Sequence, residues 1–419
     1  MRIAFGIEIF YPETNGVITA TINLANNLIK LGHEVYFFVT KNKGFNEDLI
    51  EDGIHIVRLN NIPSGIYKGL KIVPVWGWFL MPKLAKYKID IVHNTTPWLV
   101  GRAMAHGARR LHIPALATHH TLLDDPTNIE YILKSRRLSE VAQDIAWKVV
   151  FDPFYDLTWL TTAPSEHTCA QIREKCPKMD TRFISNGIDI SRYDDSNPVL
   201  PLPEAIKPEW LGRNTFIYVG RLGNEKRLDE TVKAFIKVWK KHKEAQLIVV
   251  GRGPADAELK KIVSDENAES AVHFTGLIPN DQIIGSRLLE KNCAFVTASL
   301  SENQSMTIIE SLCSGLPTIT ADVPNMTCLA SKDMGWTFEP KNIDDFAEKM
   351  EYALTHPEER DRKAIEAKKG TARFDGMAVA KEFEAVYEEL IEWKNKGFHV
   401  PGGKRRAQKY LKKINKYQK

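Results

Sequence analysis

The sequence predicts an α/β fold in two domains. Short apolar runs of strand length alternate with amphipathic helical stretches from the first residues onward. The alternation stops near Arg192, crosses a stretch rich in Pro and Asp, and restarts at Thr215. The 419 residues, 43% apolar and 26% charged, suffice for two or three domains of ordinary size with sizeable cores. The expected boundaries are 1–195 for an N-terminal domain, 196–213 for a linker, 214–385 for a C-terminal domain, and 386–419 for a closing helix and tail.

Arg2 to Phe10 reads as a strand, followed by the turn-rich loop Tyr11-Pro-Glu-Thr-Asn-Gly16. Val17 to Leu31 reads as a helix with Ile18, Ile22, Ala25 and Leu28 on one face, stopped by Gly32. Glu34 to Thr40 is the next strand. This start puts Asn15 and Gly16 at the carboxyl end of the first strand, where open α/β sheets bind ligands; an ordinary Asn-Gly turn is the alternative. Ile89 to His93 and Pro114 to Thr118 read as strands, the second ending in His119-His120-Thr121. Histidines at such ends can donate to a sugar hydroxyl or a phosphate oxygen. For His93 the expectation is a satisfied structural histidine.

Two stretches of this half mix aromatic and basic residues. Residues 66–88 surround Ile72 to Pro82, an uncharged run too short to span a bilayer. Residues 131–159 hold Lys134, Arg136 and Arg137, then Trp147, Phe151, Phe154, Tyr155 and Trp159. They read either as interfacial segments for an anionic membrane or as aromatic core with a basic edge. The tail from Lys404 to Lys419 carries eight Lys or Arg and no acid, with Tyr410, Leu411, Ile414 and Tyr417 on one helical face. That is a basic amphipathic pattern suited to an anionic membrane, with a disordered solubilising tail or a nucleic-acid contact as the alternatives. A net charge of +4 is too weak to imply nucleic acid, and five cysteines without metal spacing suit a reducing compartment. No secretory leader is expected from the first residues, so the expectation is a cytoplasmic protein with peripheral membrane contact.

The second half opens with the strand Thr215 to Val219. The loop Gly220-Arg-Leu-Gly-Asn-Glu-Lys226 follows, and an amphipathic helix starts at Leu228. Arg221 and Lys226 therefore sit at a strand end and near a helix N-terminus, where two cations favour a diphosphate. Gln246 to Val250 is a strand ending in Gly251-Arg-Gly253-Pro254, a partial dinucleotide fingerprint with Asp256 where the last glycine belongs. Val272 to Pro279 is a further strand and turn, and Asn342 to Leu354 is helical. Cys293 to Thr297 reads as a strand. After a polar loop, Ser305 is expected as N-cap of a short helix from Met306 to Ser314, ended by Gly315, and Leu316 to Ala321 is the next strand. Glu302 in the loop and Glu310 in the helix are eight residues apart, roughly 12 Å at the helical rise. Hydrolytic carboxylate pairs sit closer, about 5 to 9.5 Å apart. Two carboxylates this far apart suit the distant hydroxyls of one elongated ligand. A nucleotide-sugar fits, with its diphosphate at the helix N-terminus between them. The alternative is a solvated loop glutamate and a solvent-facing helix glutamate.

The E-x7-E pattern from Glu302 to Glu310, followed by S-x-x-S-G-L-P, resembles the retaining glycosyltransferases of family 4. The string S-E-N-Q-S-M-T-I-I-E-S-L is most similar to the bacterial diacylglycerol glucosyltransferase branch, where S-E-T-Q-G-L-T is usual. Ser305 stands here in place of that glycine. G-R-L-x-x-E-K, ending at Lys226, resembles the family's donor-phosphate motif. Y-P-E-T-N-G-V, L-G-H-E-V, T-x-H-T, A-P-S-E and N-G-I-D also recur in the family, so the resemblance covers most of residues 1–390.

The resemblance implies the GT-B fold: two Rossmann-like domains facing across a cleft, with a C-terminal helix crossing back to the N-terminal domain. It implies that the backbone at Gly16 approaches the donor phosphate or the acceptor and that His120 lies beside the donor sugar. Glu302 would orient the sugar and Glu310 the ribose, with Asn303, Gln304 and Ser305 in the donor-binding loop. Arg221 and Lys226 would stabilise the leaving diphosphate. Such enzymes use no metal, no cofactor besides the nucleotide-sugar, and no clear covalent nucleophile. The expected reaction moves glucose from UDP-glucose to a lipid acceptor such as diacylglycerol, with retained configuration, at the inner face of the cell membrane. The rivals are a family 4 enzyme with a polyprenol-linked or soluble saccharide acceptor, and a basic-tailed binding protein without catalysis.

Overall fold

The computed structural model describes residues 1–8, 10, 16–41, 48–63, 71–74, 77–120, 145, 147–300 and 302–398. They form two compact units. The first takes the described residues up to 187 together with 376–398, and the second takes 188–375.

The first unit is built on β1 (Arg2–Ile7), β2 (Glu34–Thr40), β3 (Leu49–Glu51), β4 (Ile54–Leu59), the two-stranded ribbon of β5 (Ile62–Pro63) and β6 (Lys71–Ile72), then β7 (Ile91–Asn94), β8 (Ala115–Thr118), β9 (Leu160–Ala163) and β10 (Thr181–Phe183). The main sheet has the order β10-β9-β8-β7-β1-β2-β4-β3 and is parallel except for β3 on β4. β1, β7, β8 and β9 are buried along nearly their whole length, as parallel strands covered on both faces require. The helix Gly16–Lys30 lays Ile18, Leu24, Ala25 and Leu28 on one face of the sheet. The chain returns from the second unit to add Gly376–Asn395, which packs Phe383, Val386, Tyr387 and Leu390 into the same cluster.

The second unit holds β11 (Thr215–Val219), β12 (Gln246–Val250), β13 (Val272–Gly276), β14 (Ala294–Thr297), β15 (Thr318–Ala321) and β16 (Gly335–Phe338), in the order β13-β12-β11-β14-β15-β16 and parallel throughout. Two doubly wound sheets, one in each unit, match the expected GT-B architecture.

Several expectations need correction. The units part at residues 187/188 and 375/376, not at 195 and 385. The cause is a parallel bridge between Ile188 and Asp375 that ties both crossings to the second unit. The stretch expected as a linker is packed into that unit: the Leu200 N–H donates to the Gly285 carbonyl and the Thr215 hydroxyl to the Trp210 carbonyl. β1 ends at Ile7, before Phe10. Trp147, Phe151, Phe154 and Tyr155 are core residues, packed with Ala105, Ala117 and Cys169, and Trp159 packs partly buried against the first cluster. Aromatic core is thus the reading that holds for them. In the earlier stretch Val73, Leu80 and Leu84 are buried, and Trp78 is 60% exposed. Lys134, Arg136, Arg137 and the basic tail lie outside the described residues, as does Asn15. No helix among the described residues is long and apolar enough to cross a membrane.

Candidate active site

In each sheet the chain runs outward from a central strand, returns, and runs the other way. The reversal falls between β1 and β7 in the first unit and between β11 and β14 in the second. The crevice at the carboxyl ends of such a strand pair is where open α/β sheets take ligands.

In the second unit, β11 runs into Gly220-Arg221 and β14 into the loop of Ser299 and Glu302. A 3-10 turn, Asn224–Lys226, follows the first loop, and the helix Leu228–Lys241 begins just after it. The turn brings Lys226 Nζ onto Glu302 Oε1, an ion pair about four-fifths buried. Ser299 Oγ donates to the same oxygen at 3.2 Å. Glu302 Oε2 accepts no bond among the described residues. Arg221 is half-exposed and pairs with Glu225. The Tyr218 hydroxyl donates to the Arg221 carbonyl at 3.1 Å, and burial beside Glu302 and Glu225 raises that phenol far above its ordinary value. Both cations are therefore held by carboxylates of the same unit.

The Gly251–Gly253 turn packs directly on the loop that carries Arg221. A Cβ at Gly251 would lie 1.8 Å from the Gly220 carbonyl oxygen, and one at Gly253 2.3 Å from that of Leu222. The two glycines let this turn press on the Gly220–Leu222 loop and fix it.

Glu310 sits in the helix Met306–Cys313 and is 6% exposed, so the solvent-facing alternative fails. Asn280 Nδ2 donates to its Oε1 at 3.0 Å. Burial pushes its carboxyl up to about 7, against the Asn280 bond and the Arg192 charge, which lower it. Ser305 is the N-cap by backbone conformation, but its hydroxyl caps no N–H and lies 3.1 Å from the Thr307 hydroxyl. Asn303 is buried beside it, and Gln304 is partly exposed. The far end closes as expected: Gly315 adopts φ +66°, its N–H donates to Leu312, and the Leu316 N–H donates to Ser311.

Gly16 and His120 belong to the first unit. Gly16 is the exposed first residue of its helix. His120 lies two residues past β8, and its pKa is pushed down to about 3, first by burial and then by the charge of His119. It is a neutral imidazole, able to donate from one nitrogen and accept at the other. His93 is a buried structural residue, 2.8 Å from the Tyr387 hydroxyl and 2.6 Å from the Thr118 hydroxyl. His119 is buried and bonded to the Tyr155 hydroxyl.

Sequence reasoning missed Ser299, Glu225, Asn280 and Arg192 as partners of the site. Ser299, three residues before Glu302, had a local signal in its spacing; Asn280 and Arg192 had none. It also missed Glu8, whose buried carboxyl group accepts from the Val100 N–H at 2.8 and 3.1 Å beyond the end of β1.

Two family models match the chain: Glycosyltransferase Family 4 over residues 14–192 and Glycosyl transferases group 1 over residues 204–370. The chain is 25% identical to the alpha-monoglucosyldiacylglycerol synthase of Acholeplasma laidlawii over 401 residues, 94% of this chain and 99% of that protein. It is 29% identical to the enzyme of the same name from Streptococcus pneumoniae strain R6, over 80% of this chain and 74% of that one. It is also 25% identical to a GDP-mannose-dependent alpha-mannosyltransferase of Mycobacterium tuberculosis, over 93% and 97%. Among solved structures it is similar to Anabaena Alr3699/HepE in complex with UDP and glucose, with a TM-score of 0.69, 17% identity, and 93% and 100% of the two chains covered.

Proposed function

The chain belongs to the family 4 glycosyltransferases, and from that premise we propose that it moves a hexose, with retained configuration, from a nucleotide-sugar to a membrane lipid such as diacylglycerol. The observation that carries the donor side is the arrangement in the second unit. Arg221 and Lys226 follow β11, Lys226 pairs with Glu302 beyond the end of β14, and Glu310 lies buried in the helix that comes next. Lys226 and Arg221 exchange their carboxylate partners for the donor diphosphate and hold the charge that grows on it as the glycosidic bond breaks. The open first turn of Met306–Cys313 adds N–H groups to that anion. Glu302 Oε2 takes a hydroxyl of the sugar and Glu310 takes the ribose diol. Neutral His120 bonds a donor hydroxyl without adding charge. The departing diphosphate accepts the acceptor's proton on the face it leaves, which gives retention. Neither metal nor cofactor enters this scheme.

UDP-glucose and diacylglycerol are favoured because two relatives matched over most of the chain are named for the glucosyldiacylglycerol they make. The mannosyltransferase relative supports a second reading, GDP-mannose as donor. Contact with the membrane is peripheral, at the cytoplasmic face.

The test is transfer from radiolabelled UDP-glucose, with GDP-mannose in parallel, to vesicles containing diacylglycerol, with and without anionic lipid. The control is the Glu302→Ala, Lys226→Ala double variant. A labelled glycolipid that the double variant does not make supports the chemistry, and a higher yield on anionic vesicles supports the membrane contact. Donor binding without product rejects this acceptor and favours a polyprenol-linked or soluble saccharide. Loss of binding to both donors rejects the donor assignment itself.

A further inference from the structure

The buried Glu310 is reached from outside its own helix by one connected set of polar groups. Arg192, exposed in the 3-10 turn Ile190–Tyr193, donates from Nη1 to Asn280 Oδ1 at 3.3 Å. Asn280, first residue of the short helix Asn280–Gly285, donates from Nδ2 to Glu310 Oε1 at 3.0 Å. The two bonds fix the amide: an oxygen must face the guanidinium and an NH₂ must face the carboxylate. Glu310 Oε2 takes no bond among the described residues. The Tyr193 hydroxyl is buried without a hydrogen-bond partner, and Glu310 and Cys313 are the groups that act on it most strongly.

We propose that Arg192 and Asn280 form a positioning relay for donor recognition, holding one oxygen of Glu310 so that the other is kept for the ribose diol. This rests on the reading of Glu310 as the diol-binding group. Asn280 and Arg192 touch Glu310 or its partner, not the reacting atoms. Their effect is to orient the carboxylate and to keep it ionised in a buried place. An ionised carboxylate accepts two hydroxyls; a protonated one must spend a lone pair or turn its own O–H toward the ligand. The groups facing Glu310 are Asn280, Arg192 and Tyr193 from neighbouring segments, and Cys313 on its own helix. Of these only Arg192 and Asn280 favour the ionised form. Removing either raises the pH needed to ionise Glu310.

The test compares the affinities of UDP and 2′,3′-dideoxy-UDP, with the GDP pair in parallel, across pH 5.5 to 8.5. The full-length wild type, Asn280→Ala, Asn280→Asp, Arg192→Ala and Glu310→Gln are measured. Wild type is expected to prefer the diol by about tenfold or more, the size of charge-assisted hydrogen bonds. In Asn280→Ala and Arg192→Ala the preference falls at least about threefold, and the pH midpoint of UDP binding moves up. Asn280→Asp, nearly the same shape, loses the preference because it sets a second carboxylate against Glu310. Melting temperatures near that of wild type separate this from a folding defect, and Arg192→Ala, at an exposed site, serves if Asn280 variants fail to fold. An unchanged preference and midpoint in both alanine variants overturns the relay while leaving the diol reading standing. A wild type that does not distinguish the two nucleotides, together with an unaffected Glu310→Gln, overturns the diol reading, and the relay with it.

Discussion

Glu8→Gln tests whether a carboxyl is kept neutral in the core of the first unit. Glu8 lies just past β1, 2% exposed, with both oxygens on the Val100 N–H at the start of the helix Leu99–Arg110. Trp98, the N-cap residue of that helix, gives no side-chain cap, so Glu8 supplies one from a distant part of the chain. Burial pushes its pKa from 4.5 up to about 8, in spite of helix N–H bonds that pull it down. A raised folded-state pKa favours the protonated form in the native protein, so stability is full below 4.5 and is lost as pH climbs through 8. Between those values the unfolded chain has released a proton that the native chain keeps, and stability falls by about 1.4 kcal/mol per pH unit. From pH 5 to pH 7 that amounts to about 2.7 kcal/mol. Glutamine keeps the acceptor oxygen for Val100 and cannot ionise. Urea unfolding of both proteins at pH 5, 6 and 7, following the transition of the first unit, should show the Gln variant gaining on wild type by this amount. Other titrating groups cancel in the difference. Parallel pH profiles would refute the reasoning and show that the helix N-terminus outweighs burial, leaving Glu8 ionised.

Lys226→Met should lower the rate of transfer by about a hundredfold or more, since it removes a charge from the leaving group. It should also leave Glu302 with Ser299 as its single partner; steady-state kinetics with saturating donor checks the rate. Tyr387→Phe removes the hydroxyl that bonds buried His93 and should cost about 1 to 3 kcal/mol in urea unfolding, with nucleotide affinity unchanged. His120 is held neutral down to about pH 3, so its contribution to stability is present above its ordinary 6.5 and is lost as pH falls toward 3. His120→Gln should therefore lose less melting temperature than wild type between pH 7 and pH 5, while its transfer activity drops at both pH values.

Much of the fold was legible because parallel strands, buried on both faces, leave continuous apolar runs such as Phe295-Val-Thr and Ile217-Tyr-Val. Thr215–Val219, Gln246–Val250 and Glu34–Thr40 were placed to the residue for this reason. Gly315 was legible as a helix stop because a left-handed cap needs no partner beyond its own turn. Arg221, Lys226, Glu302 and Glu310 were singled out by the spacing of their motifs and by resemblance. The domain boundary was misplaced because composition marks a polar stretch whether it links two units or packs on one, as Arg192 to Arg213 does. The aromatic run from Trp147 to Tyr155 was ambiguous because large rings look alike at a membrane and in a core. Only Ala105, Ala117 and Cys169, brought from other segments, decide for the core.

The sequence by itself pointed to two α/β units, to many of their strands and helices, and to the charged motifs of Arg221, Lys226, Glu302 and Glu310. These depend on local periodicity and short motifs. The tertiary structure alone decided the state and the partners of those charges. Lys226 meets Glu302 across 76 positions of chain, Asn280 meets Glu310 across 30, and Glu8 caps a helix that begins more than 90 residues later. Burial and hydrogen bonding set whether a carboxylate keeps its proton, and both are properties of the folded chain, invisible in a string of residues.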